Sequence, residues 1–495
     1  MGQDIDIPGD SGAELALNGG TLVFTAYRSA VPSRSFMQIH RRQGSQWIRE
    51  YSAASATQIY DAVATDDHVT VAGLWRYDGA AGEDQGRIQI LRRQPDGQWS
   101  SVYLTRSTPQ AGARFGRYVA IVAGAVAVGA SDETVTDGAG THTRAGAAHV
   151  YELTIDTWNE VARLVEPQSG DHTQNRFGFR VAISGADSST PHRLLVGRAS
   201  NEASARIGIV RGYRRVAGTW TPTLTISAPT PSTSDQFACS LAMDGAWALI
   251  GVCASDSAGT DAGAVIVARF NTGFSSVLGL SERTDPQASA GEFMGTRVAM
   301  DRSGPTLMVG NLGANMYGNA YQGVVLVGRS QSGEVPALAR SIDLGQGLSD
   351  ARASEVAVDG DTLIIGARGE DQGIQQQRGA AYVYRRHVSG QYLLEARLIC
   401  RRLDACGESV RIQRQSELRY RGCVRWRSRS GGQSGGDRTG TGLSPQWRKL
   451  VARGELAAGR CGKRHAMLSR HTARDDSGCR MLESGGQPRG RGLCF

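Results

Sequence analysis

Apolar and polar positions alternate in short runs along the first 400 residues, and the same run returns at a near-constant distance. Val119-Ala120-Ile121, Val181-Ala182-Ile183, Leu241-Ala242-Met243, Val298-Ala299-Met300 and Val356-Ala357-Val358 follow one another at steps of 62, 60, 57 and 58 residues. Each is followed by a turn and a second apolar stretch ending in glycine, as in Val126-Ala127-Val128-Gly129 and Leu363-Ile364-Ile365-Gly366. Two short apolar stretches about a two-residue turn predict a β-hairpin. A polar, glycine-rich loop comes next, Ser131 to Ala145 in the unit at 111–173. A third apolar stretch then opens on glycine (Gly146-Ala147-Ala148-His149-Val150-Tyr151), and an aromatic residue begins a fourth. Trp47, Trp99, Trp158, Trp220 and Tyr392 hold that last place. No stretch of residues 1–400 keeps a helical apolar period over the length a helix needs, so the expected class is all-β.

Two weaker copies precede these five, Leu15-Ala16-Leu17 with Leu22-Val23-Phe24 and Ala62-Val63-Ala64 with Val69-Thr70-Val71. Seven units result, near 8–57, 58–110, 111–173, 174–233, 234–290, 291–350 and 351–400. A lone four-stranded sheet cannot bury both faces, whereas sheets stacked around an axis shelter one another. The expectation is a seven-bladed β-propeller of four-stranded blades spanning 8–400. Six or eight blades are the alternatives, because the first two copies are degenerate.

The repeats resemble the FG-GAP repeats of the integrin α-subunit propeller and of bacterial surface proteins. Phe115-Gly116 and Phe177-Gly178 match the Phe-Gly pair, while Phe237-Ala238 and Phe293-Met294-Gly295 are altered and Ala353-Ser354 replaces it in the last unit. The Gly-Ala-Pro triplet is eroded to Gly129-Ala130-Ser131, Gly197-Arg198-Ala199, Gly251-Val252-Cys253, Gly310-Asn311-Leu312 and Gly366-Ala367-Arg368. The resemblance implies a secreted or surface-exposed protein, with calcium in loops of alternating aspartates. Here the corresponding loops carry Glu83 with Asp84, Asp132 with Glu133 and Asp137, Asp256 with Asp261, and Glu370 with Asp371, none at that spacing. Hard cations need several converging oxygens. These carboxylates are therefore expected to be solvated loop groups, and no metal ligand is assigned.

Charge divides the chain. Residues 401–495 hold 19 Arg and 2 Lys against 8 acidic residues, a net of +13, whereas residues 1–400 hold 34 basic and 39 acidic residues, a net of −5. The overall charge of +8 therefore does not argue for a nucleic-acid partner of the folded part. Six of the eight cysteines lie from Cys400 onward. A codon string encoding Gly407–Gln415, read one nucleotide later, gives Ala-Ser-Arg-Phe-Gly-Phe-Ser-Val, the opening of another repeat on the expected period. Residues 401–495 are thus expected to be a frameshifted product in place of an eighth unit, arginine-rich, poor in apolar alternation and without fixed structure. Cys461, His465, His471 and Cys479 fit no strong zinc spacing. The stretch Arg419–Arg429, with Tyr420 and Trp426, is read as nonspecific stickiness toward polyanions.

Cys239 and Cys253 lie on the two arms of one hairpin, near enough for a small register change or bulge to bring their sulfurs together. Two readings stay open, a disulfide and a pair of buried free thiols. No catalytic residue is assigned, since the nine histidines, among them His40, His68, His142, His149, His172 and His192, do not recur at equivalent places. The longest apolar run, Val119–Ala130, is 12 residues, too short to cross a bilayer. The chain starts on polar and acidic residues rather than a secretory leader. The resulting expectation is a monomeric, non-enzymatic, extracellular or cell-envelope propeller that presents loops to a protein or glycan, without a cofactor. The alternative is a hydrolase or lyase with its site at the channel mouth.

Overall fold

In a computed structural model of the chain, each repeat unit folds into one four-stranded antiparallel sheet. The structure describes residues 14–28, 34–44, 46–166, 171–185, 192–198, 207–301, 306–311, 324–329, 338–342, 353–367 and 380–399. The tail from 401, with its cysteine and histidine cluster, and the pair Glu370 and Asp371 lie outside them. The sheets span 15–55, 62–104, 118–164, 180–226, 237–283, 294–342 and 353–399, called blades 1 to 7. No helix occurs among the described residues. The chain is a seven-bladed β-propeller, which excludes six and eight blades. Trp47, Trp99, Trp158, Trp220 and Tyr392 fall in the first or second place of the fourth strands.

The first strand of every blade lies against the first strands of both neighbours, so these seven strands surround the axis. Ala16, Ala64, Ala120, Ala182, Ala242, Ala299 and Ala357 occupy one equivalent step on them, two residues before the turn. A methyl group at that step suits the convergence of seven strands. The register of blade 2 corrects the sequence pattern by one residue. Ala64 pairs with Val71, so Val63-Ala64-Thr65 is the equivalent phrase, not Ala62-Val63-Ala64.

Seven apolar clusters lie between the blades, one per junction. The cluster closing the ring joins Leu17, Leu22, Phe24 and Trp47 of blade 1 to Ile364, Val383, Ala396 and Leu398 of blade 7. Arg42 Nη2 and Glu395 Oε1, 2.9 Å apart, bridge the same junction. Phe115, Phe177 and Phe237, equivalent in their repeats, are buried to within 1% of full exclusion against the preceding blade. Each contributes up to about 3 kcal/mol of apolar burial.

The glycines of the repeat are explained by how the blades join. The Phe-Gly segment of one blade pairs, backbone to backbone, with the residues entering the third strand of the blade before it. Arg114 N–H donates to Asp84 O at 2.9 Å, Arg176 N–H to Arg144 O at 3.0 Å, and Phe293 N–H to Asp261 O at 3.0 Å. Close approach removes room for side chains. A Cβ at Gly73 would stand 1.9 Å from the carbonyl oxygen of Gly116, one at Gly129 2.1 Å from that of Gly178, and one at Gly251 2.2 Å from that of Gly295. At the outer rim a carboxylate of one blade receives an arginine and a tryptophan of the next. Arg93 and Trp99 Nε1–H donate to Glu50, and Arg215 and Trp220 Nε1–H donate to Glu152.

Antiparallel order sends the tight hairpin turns to one face of the ring, while the connections from second to third strand and from blade to blade gather on the other. The polar, glycine-rich loop of blade 3 contains a short hairpin of its own, Val135–Asp137 with Gly140–His142.

Candidate binding face at the mouth of the channel

The innermost strands enter from the loop face, and the residue just before each conserved-pattern phrase stands at the channel mouth. In chain order these are Glu14, Ala62, Tyr118, Arg180, Ser240, Arg297 and Glu355, each two residues before the axial alanine. Charge here is segregated: acidic groups come from blades 1 and 7, guanidinium groups from blades 4 and 6. Arg297 Nε donates to Glu355 and its Nη2 lies 3.9 Å from Glu14 Oε1. The facing Glu355 carboxylate, against the cost of burial, raises the pKa of Arg297 and keeps it charged. Burial pushes the Glu355 carboxyl up, with Arg297 opposing.

Beside this ring the guanidinium groups lie on aromatic rings. Arg180 sits 3.9 Å from the centroid of Tyr118 and 4.7 Å from that of Phe179, whose rings are 5.2 Å apart. Arg76 and Arg114 stand 4.6 and 4.8 Å from Trp75, and Arg117 lies 5.7 Å from both Trp75 and Phe179. Trp75, Tyr118 and Phe179 are half-buried. Cation–π contacts at such partly exposed sites contribute about 0.5–1 kcal/mol each. Asp61 lies 3.6 Å from Arg76, and burial pushes its carboxyl up to about 7.

Of the loop carboxylates expected to be solvated, Glu83 and Asp256 are exposed, whereas Asp132 and Glu133 are buried. Asp132 is buried with four guanidinium groups about it, Arg114 at 3.0 Å, Arg176 at 3.6 Å, and Arg117 and Arg144 at 3.7 Å. Glu133 is fully buried between Arg106, Arg163 and His149, and His149 passes on to Glu160 at 2.7 Å. Burial works against the charge on His149, but the two carboxylates overcome it and raise its pKa. A cation cannot displace four arginines from Asp132, so these two are anchors of the loop. Asp256 Oδ1 accepts the backbone N–H of Asp261 at 2.8 Å and fixes its own turn, and Asp84 lies 3.5 Å from Arg114. Asp137 faces His142 and His172 instead. His40 is buried beside Gln38, His192 stacks on Trp220, and His68 lies at the surface beside Asp67.

Cys239 and Cys253 stand with Cα atoms 6.2 Å apart and their sulfurs joined. The pairing slips between Phe237 and Leu241, where four steps on one strand match two on the other, and this bulge carries Cys239 opposite its partner.

None of the mouth residues was singled out from the sequence. The available signal was their position: the residue before the repeated phrase changes from Glu to Tyr to Arg while the phrase around it stays constant.

The FG-GAP repeat family profile matches residues 220–267 and 349–384. The chain is an FG-GAP repeat propeller. The matched segments reach into the third strands of blades 5 and 7 and include the second strands before them, which end near Gly251 and Gly366. No curated protein matches the FG-GAP propeller. Among solved structures it is similar to a periplasmic gluconolactonase, PpgL, of Pseudomonas aeruginosa, at 13% identity over 76% of this chain and 92% of that one, TM-score 0.42. Sqt1 of Chaetomium thermophilum is similar at 11% identity over 78% and 84%, TM-score 0.41. The Dos1 propeller is similar at 10% identity over 80% and 88%, TM-score 0.42.

Proposed function

We propose that this FG-GAP propeller is a non-enzymatic binding protein, secreted or held at the cell surface, that takes a protein or glycan ligand on its loop face. The observation that carries the reading is the partly exposed layer of Trp75, Tyr118 and Phe179 interleaved with Arg76, Arg114, Arg117 and Arg180. Tryptophan, tyrosine and arginine on a rigid frame are the residues that dominate binding interfaces. Sugar rings and peptide side chains stack on the same faces. The joined pair Cys239 and Cys253 supports an oxidising compartment. On this reading the protein is a monomer, each blade leaving only a short outer edge.

A glycan array and a panel of purified surface proteins, probed with the full chain, test the reading. Trp75→Ala with Arg180→Ala should weaken captured ligands by about 30-fold, the equivalent of a 2 kcal/mol hot spot. Ligands bound equally well by that variant would remove the mouth as the binding face.

One observation favours the hydrolase or lyase reading, the Asp61 carboxyl raised to about 7 at the channel mouth, where a general acid or base works best. Turnover of lactone, ester or glycoside substrates, lost in Asp61→Asn, would replace the binding reading with this one.

A further inference from the structure

We propose that Asp137, His142 and His172 form a binding site for a zinc-class divalent transition-metal ion, which fastens the loop hairpin of blade 3 to the connection entering blade 4. One ligand atom from each of the three lies within 4.8 Å of the other two. His142 Nε2 is 3.1 Å from Asp137 Oδ1, and His172 Nε2 is 3.6 Å from Asp137 Oδ2. These distances bracket the separation of about 3.4 Å between two ligands on a tetrahedral ion with bonds of about 2.0–2.1 Å. The imidazoles meet edge to face, centroids 4.9 Å apart.

The donor set selects the ion. Two imidazole nitrogens and one carboxylate oxygen suit zinc and its first-row neighbours, whereas calcium takes six to eight oxygens. Asp171 Oδ1 lies 3.2 Å from His142 Nδ1, on the side of the ring away from Asp137, where an outer carboxylate orients a ligating histidine. The backbone supplies further order: Ala139 N–H donates to Asp137 Oδ1 at 2.8 Å, and Thr173 N–H to Asp171 Oδ1 at 2.8 Å.

The two rings are also shielded from bulk water. Both imidazoles are about 95% buried, yet Nδ1 of His172 has no hydrogen-bond partner. The ion would take Nε2, the nitrogen that faces Asp137, and Nδ1 would need a water of its own. Asp137 is more than a third exposed, so a fourth position on the ion would open to solvent and hold a water. The site joins segments that the chain separates by 30 residues, so metal binding there is linked to the order of the loop face.

The test uses the full chain stripped with a chelator, then titrated with zinc chloride and, separately, cobalt chloride and calcium chloride. One equivalent of zinc should bind and raise Tm, calcium should do neither, and cobalt should give visible ligand-field bands without a thiolate charge-transfer band. Zinc binding should fall below detection in His142→Ala with His172→Ala, weaken about tenfold in Asp171→Asn, and persist in Cys461→Ser with Cys479→Ser. If the histidine double variant fails to fold, the cobalt spectrum of the cysteine variant decides: a nitrogen and oxygen spectrum supports the site, no spectrum overturns it. Absence of zinc binding, its loss in the cysteine variant, or its full retention in the histidine variant also overturns it.

Discussion

Adding a single methyl group at Gly73 tests the way the blades are joined. The Cβ of Gly73→Ala would lie 1.9 Å from the carbonyl oxygen of Gly116 in the next blade and 2.9 Å from its carbon. The opposing atoms are backbone, and Gly116 is itself committed, donating its N–H to Gly129 O at 3.1 Å. Neither side can swing a side chain away, so blades 2 and 3 must separate or the second strand must bend. Overpacking of this kind costs about 3 kcal/mol, the upper end of the usual range, because nothing flexible absorbs it. Gly279, on the fourth strand of blade 5, is the control, since a Cβ there meets nothing within 4 Å. Gly279→Ala should be neutral or stabilise by a few tenths of a kcal/mol through the unfolded chain. Urea denaturation of both variants beside the parent, followed by tryptophan fluorescence and far-UV circular dichroism, measures the difference. Equal midpoints for Gly73→Ala and Gly279→Ala would refute the argument that glycine is required by backbone contact between blades.

Three further outcomes follow from the geometry. Intact mass before and after reduction should differ by the two hydrogens of one Cys239–Cys253 bond, and Cys239→Ser with Cys253→Ser should lose about 3 kcal/mol, the closure term for a loop of about 15 residues; free thiols at both positions by alkylation would contradict this. The buried His149 network gives a pH signature. His149 is raised above its ordinary 6.5, so its contribution is complete below about 6.5 and fades as pH rises through the folded value, while Glu160, held down to about 2, contributes above about 4.5 and loses that on acidification. Urea midpoints should therefore fall from about pH 5.5 to about pH 8.5 in the parent and change less in His149→Gln; identical slopes would reject the imidazolium. Glu355→Gln, which removes the carboxylate that accepts from Arg297 Nε and leaves only the more distant Glu14, should destabilise, whereas Glu83→Gln, in a loop, should not, both by thermal melting.

The repeat was legible because apolar alternation and the closing glycine are consequences of strand pairing and blade contact, and both act along short stretches of chain. Blade 2 slipped by one residue because Ala62, Val63 and Ala64 are all small and apolar, leaving the pattern without a marker of which side chain faces which neighbour. The hairpin at Val135–His142 did carry a signal, Asp137-Gly138 after the β-branched Val135-Thr136, hidden by the polarity of its surroundings. Burial of Asp132 and Glu133 could not be read locally, since their arginines come from Arg106 to Arg176 across two blades. The same holds for His142 and His172, which lie in separate connections and look unrelated until the ring is built. The mouth residues were invisible for the opposite reason: they break the repeat, and a search for recurrence passes over what varies.

Closure of the ring between the first and last blades is the claim on which the rest stands, and a double-mutant cycle on Arg42 and Glu395 measures it most directly. These residues are 353 apart in the chain and 2.9 Å apart in space, both mostly buried. Arg42→Ala and Glu395→Ala should each destabilise, and the double variant should lose less than their sum, with a coupling energy of about 1 kcal/mol. Strictly additive losses, with no coupling beyond about 0.3 kcal/mol, would mean that blades 1 and 7 do not meet.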